Sequence, residues 1–63
     1  MGAPREYLEA KYGIHNVYTV QELKAKGFTI RLEIGDQVTM TDKHGKPASC
    51  LKQDDPPLYY DLK

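Results

Sequence analysis

Few side chains in this 63-residue chain are able to do covalent or metal chemistry: His15, His44, Cys50 and scattered carboxylates. A nucleophile needs a base within hydrogen-bond reach, and that base must itself be oriented by a third group. His44 lies in the turn-forming run Asp42-Lys-His-Gly45, shortly before Cys50, so these two are able to approach each other. Nothing beside them supplies an orienting group or an oxyanion donor. A lone cysteine reads as a small buried packing residue. Metal sites need three or four closely spaced ligands, and His44 with Cys50 falls short of that number. Asp54-Asp55 reads as a solvated, turn-forming pair rather than a cation site. So short a chain also has little room for the walled pocket that small-molecule chemistry requires. The expectation is no enzyme, no catalytic residue, no metal and no cofactor.

Recognition motifs are more informative. Pro56-Pro57-Leu58-Tyr59 matches the Pro-Pro-x-Tyr pattern bound by WW domains, in which a preformed polyproline II turn presents a tyrosine to an aromatic-lined groove. The bland alternative is a rigid linker whose tyrosines pack on the body. The run Glu22-Leu-Lys-Ala-Lys-Gly27 followed by Phe28 to Thr41 resembles, in supersecondary type, the helix and hairpin of docking domains in some multienzyme synthases. That likeness spans under half the chain, and Asp54-Asp55-Pro56-Pro57 stands where those domains carry a further helix. Tyr18-Thr-Val-Gln-Glu-Leu23 resembles the first helix of excisionase-like DNA-binding domains, and two helices before a hairpin is the element order of a minimal winged helix. Gly27 and an alternating strand follow, so the groove-reading helix is missing. In the nucleic-acid reading, Arg31, Lys43 and Lys46 are the phosphate contacts.

Charge limits that reading. Nine basic and nine acidic residues cancel, leaving no global field toward nucleic acid or an anionic membrane. Residues 24–52 hold six basic and three acidic side chains, a mild local excess that reads as a solvated face. The longest apolar runs are far too short to span a bilayer. Met-Gly at the start suggests a myristoylation signal, but Glu6 sits where Ser or Thr is wanted. One cysteine and no export signal point to the cytoplasm, and Cys50 alone forms no internal disulfide.

The elements follow from local pattern. Ala3 to Tyr12 reads as a helix opened by Pro4, with Tyr7, Leu8 and Tyr12 on one face and Ile14 folding back past Gly13. Thr19-Val-Gln-Glu22 is a capping box with Tyr18 and Leu23 as its hydrophobic staple, and Gly27 and Phe28 close the helix. Phe28, Ile30, Leu32 and Ile34 then alternate with Thr29, Arg31 and Glu33, and Val38 and Met40 alternate with Gln37, Thr39 and Thr41. A two-residue Gly35-Asp36 loop would set Leu32 opposite Thr39 and cross the faces, so a three-residue loop with left-handed Asp36, or a bulge, is preferred. Residues 48–51 are candidates for a third strand, with Pro47 at its start.

The resulting expectation is an α+β fold: two short helices packed on one face of a small antiparallel two- to three-stranded β-meander, with an extended C-terminal tail. Residues 1–52 form a single domain, and residues 53–63 form a Pro/Asp/Tyr tail able to dock on it. The expected core is Tyr7, Leu8, Tyr12, Ile14, Leu23, Phe28, Ile30, Leu32, Val38 and Met40. Function is expected to be that of a small non-catalytic protein-binding module, an adaptor, inhibitor or assembly factor, acting through sheet edge, hairpin face or tail. Its contact residues would be Arg31, Glu33, Thr39, Thr41, Pro56, Pro57 and Tyr59. The partner is another protein or a second copy, with nucleic acid as the alternative and no membrane.

Overall fold

A computed structural model describes residues 2–63. In chain order the elements are α1 (Arg5–Tyr12), a 3₁₀ turn (Ile14–Asn16), β1 (Val17–Tyr18), α2 (Val20–Ala25), β2 (Thr29–Ile34), β3 (Gln37–Thr41), β4 (Pro47–Gln53) and β5 (Leu58–Tyr60). All five strands join one antiparallel sheet in the order β1-β5-β4-β3-β2. Among the described residues, no helix is long and apolar enough to cross a membrane.

The second helix is bounded by its own sequence. The Glu22 N–H donates to the Thr19 hydroxyl at 3.2 Å, and the Thr19 N–H donates to the Glu22 carboxylate at 2.8 Å. This is the reciprocal capping box, and it satisfies donors that a helix start otherwise leaves orphaned. At the other end, the Phe28 N–H reaches the Leu23 carbonyl and the Gly27 N–H the Lys24 carbonyl, both at 3.0 Å. Those two bonds make a Schellman closure. It needs a left-handed residue, and Gly27 supplies φ +92° where a Cβ would also strike Lys43 at 2.8 Å.

Strand parity divides the interior in two. Tyr18, Ile30, Val38, Met40, Ala48, Cys50 and Tyr59 share one side of the sheet and pack with Leu23 of α2 and with Phe28 and Leu62. Val17, Leu58 and Tyr60 point to the other side and pack with Ala3, Leu8 and Tyr12 from the segment around α1. The helices therefore lie on opposite faces. Gln53 pins the residues before α1 to the end of β4: its amide accepts from the Ala3 N–H at 2.9 Å and donates to the Ala3 carbonyl at 2.6 Å. Arg5 ties α1 to α2 by reaching Glu22 at 3.0 Å and the Val17 carbonyl at 3.3 Å.

The α+β class stands, but the expected two- to three-stranded meander with both helices on one face does not. The sheet has five strands, because the expected extended C-terminal tail supplies β5, inserted between β1 and β4. The turn Asp54–Pro57 reverses the chain, and Leu58, at 4% exposure, fills the core under α1. Past β5, Asp61 adopts φ +57°, and Lys63 exchanges backbone hydrogen bonds with Ser49 at 2.9 and 3.2 Å.

The hairpin register also differs. Ile34 pairs with Gln37 across a two-residue Gly35-Asp36 turn, and Gly35, not Asp36, takes the left-handed φ of +60°. Leu32 does face Thr39, the crossing that was expected to exclude this loop. A bulge at Arg31 absorbs it by inserting one residue, so that Ile30 still meets Met40 on the buried side. The consequence is that Leu32, expected in the core, and Ile34, expected on the same face of the strand, are 54% and 67% exposed. Tyr7 and Ile14 are exposed as well. Gly13 takes φ +108° and leads into the 3₁₀ turn, which carries Ile14 away from Leu8.

Candidate functional site

The edge of the sheet at β2 is the feature on which sequence-derived residues and geometry converge. β2 ends the strand order, so its outer side has no neighbouring strand. The phase of its free backbone groups follows from hydrogen bonds further into the sheet. Ser49 bonds Lys63 on the side of β4 away from β3, so Thr39, which faces Ser49, directs its N–H and C=O toward β2. Leu32 and Ile34, opposite Thr39 and Gln37, therefore spend their groups on β3. Ile30 and Glu33 face Met40 and Val38, whose groups point to β4, which leaves their own N–H and C=O at the open edge.

The expected contact residues separate around this edge. Arg31 sits at the bulge and its Nε donates to the Thr41 hydroxyl at 3.0 Å. Thr39 and Thr41 share the uncovered face with Leu32 and Ile34. Glu33 lies on the α2 side, where its carboxylate pairs with Lys52 at 2.6 Å and holds the Lys52 ammonium above its usual pKa. Pro56 and Pro57 are exposed at the far turn. Tyr59 is half-buried in β5, flanked by Tyr18 and Lys52, and burial first and Glu33 second push its phenol up. For Pro-Pro-x-Tyr recognition, β5 would have to leave the sheet.

Lys43 and Lys46 stand exposed in the turn Asp42–Lys46 between β3 and β4. The Asp42 carboxylate accepts from the Lys46 and His44 N–H groups, each at 2.8 Å, and these bonds hold its pKa below the usual carboxylate range. The turn abuts the end of α2, where Lys43 meets Gly27. Lys24, Arg31, Lys43, Lys46 and His44 thus surround the beginning of β2, all exposed, and no ion pair among the described residues engages them.

A groove of about 320 Å³ runs between α2 and the start of β2, walled by Val20, Leu23, Phe28, Thr29 and Ile30 with Lys24 at its rim. Its walls come from α2, from Phe28 and from the first residues of the edge strand β2. A second concavity, about 370 Å³, lies where Thr39, Ser49 and Leu51 meet Asp61 and Lys63, and it contains no histidine. Sequence reading missed the groove, since it depends on how α2 sits against the start of β2. Cys50 is buried in the α2-side core, and burial pushes its thiol up to about 11. His44, by contrast, is exposed at the turn. Among the described residues no group of three or more His, Cys, Asp or Glu side chains is placed to hold a metal ion.

Fold and site together define a small α+β domain whose edge strand β2 is flanked by an apolar groove and a basic end. No protein-family model, curated protein or solved structure matches the chain.

Proposed function

We propose that this chain is a non-catalytic protein-binding module that captures a segment of another protein by strand addition to β2. One observation carries the reading: β2 presents the free backbone groups of Ile30 and Glu33 beside two large apolar side chains, Leu32 and Ile34, that neither helix covers. Strand addition draws affinity from main-chain hydrogen bonds and specificity from the pockets that alternate side chains enter. Exposed apolar residues clustered on an open edge mark an interaction surface. The bulge and the charge of Glu33 are devices that blunt indiscriminate edge pairing, so they favour a selected partner over open-ended aggregation.

The test is capture of binding proteins from the native source on wild-type chain and on two variants. Glu33→Pro removes an N–H that points outward while leaving the β2–β3 ladder intact, as proline is tolerated at an edge. Leu32→Lys/Ile34→Lys places charge on the exposed pair. Both variants should lose the specifically captured partner, and Pro56→Ala/Pro57→Ala should retain it. Unaltered capture by Glu33→Pro would sink strand addition.

A further inference from the structure

We infer that the segment added to β2 is an acidic peptide, which seats one apolar side chain in the groove between α2 and β2 and directs its carboxylates to the basic end. This deepens the strand-addition reading and rests on it. A strand lying along β2 has its alternate side chains on the two sides of the sheet. On the α2 side, a residue opposite Ile30 meets the opening of the groove, whose walls are Val20, Leu23, Phe28 and Ile30. Such walls select an aliphatic side chain. On the other side, the neighbouring residues meet Leu32 and Ile34. Where the peptide passes the start of β2 it enters the field of Lys24, Arg31, Lys43 and Lys46, which no ion pair among the described residues engages. Asp42 is the one acidic side chain of that turn; its carboxylate accepts two backbone N–H groups and offsets only part of the positive charge around it. Unpaired cations on exposed stems beside a binding edge steer and select an anionic partner.

A second copy of the chain fits this site less well. Antiparallel pairing of β2 with itself would match the outward groups of Ile30 and Glu33 with Glu33 and Ile30 of the copy. The copy's Glu33 would then lie against the mouth of the apolar groove, at the desolvation cost of a carboxylate pressed on hydrocarbon. Nucleic acid fits less well too, since the exposed side chains beside the basic end include no aromatic ring on which a base would stack.

The experiment selects from a random peptide library on the full chain, then synthesises the recovered sequences and maps their binding by amide chemical shifts. Recovered peptides should carry Asp and Glu beside an isolated aliphatic residue and should shift the Ile30 and Glu33 amides. Their affinity should fall as salt rises, and it should drop about tenfold in Lys43→Glu/Lys46→Glu, the effect of losing two exposed charge contacts. Lys24→Gln/Lys46→Gln, milder and at exposed positions, guards against a folding defect and should weaken binding in the same direction. Neutral or basic peptides that shift Ile30 and Glu33, or equal binding to the charge variants, overturn the acidic assignment and leave strand addition standing. No recovered peptide, or shifts confined to other residues, overturns both. A concentration-dependent dimer in sedimentation that protects the Ile30 and Glu33 amides assigns the edge to a second copy and likewise overturns the acidic peptide.

Discussion

Thr19 shows how much of this molecule is written locally. Its hydroxyl and the Glu22 carboxylate satisfy each other's backbone N–H groups, three residues apart, so the motif is legible without any knowledge of the fold. Thr19→Ala should cost about 1 kcal/mol in urea unfolding, the usual worth of such a cap. An unchanged midpoint would mean that the helix is held by packing alone. Glu22 is also held below the usual carboxylate range, by Arg5 first and the Thr19 backbone second, and Asp42 is held low by Lys46 and His44. A depressed folded pKa adds stability above the unfolded value, and that stability is lost as pH falls through the folded one. Thermal stability should therefore decline on acidification below about pH 4, and Glu22→Gln should flatten the decline. Equal acid slopes for both proteins would contradict the assignment. Cys50 is a third residue-scale case. With its thiol pushed up to about 11 and its side chain in the core, alkylation of the folded protein near pH 8 should be slower than that of the urea-unfolded chain. The ratio expected from thiolate fraction alone is roughly two orders of magnitude. Comparable rates would mean an open, reactive thiol.

At the scale of elements, legibility falls where pairing is set by partners far away in sequence. The α2 boundaries were readable, and so was the alternation through β2 and β3. The bulge at Arg31 was not, because nothing in Ile-Arg-Leu distinguishes a bulged from a regular strand. That single inserted residue reversed the side on which Leu32 and Ile34 lie. Deleting Arg31 should leave Ile30 opposite Met40 and Leu32 opposite Thr39, giving a regular hairpin inside an intact fold. Cross-strand NOEs check this, and a flip of Leu32 to the α2 side would show that another feature sets the register. β1 and β5 escaped notice for a different reason. Two and three residues are too few to display alternation, and Pro56-Pro57 beside them signals a break. Leu58→Ala tests whether β5 is integral. Truncating a core leucine costs about 2–4 kcal/mol, against the roughly 3–5 kcal/mol typical of a domain this small. The variant should be largely unfolded at modest urea concentrations, and wild-type stability would make the segment peripheral.

The whole molecule reconciles a short chain with two helices by placing them on opposite faces of one sheet. Each helix covers a different part of the sheet, and what remains bare is the region of β2 and β3 that carries Leu32, Ile34, Thr39 and Thr41. The expected contact residues Arg31, Thr39 and Thr41 were legible as an outward stripe on an alternating hairpin. The apolar half of that surface was not, because it arises from the bulge, and neither was the groove, because it arises from the packing of α2 against the start of β2. Zero net charge likewise concealed a basic end, since apart from Asp42 the compensating carboxylates lie elsewhere in the chain.

Residue-resolved amide hydrogen exchange of the chain, free and with a bound partner segment, tests the open edge most directly. In the free chain Leu32, Ile34 and Val38 should be protected while Ile30 and Glu33 exchange rapidly, and binding should slow those two selectively. Ile30 and Glu33 already protected in the monomeric free chain, or protection on binding that falls on β5 instead, would contradict the assignment of β2 as the docking strand.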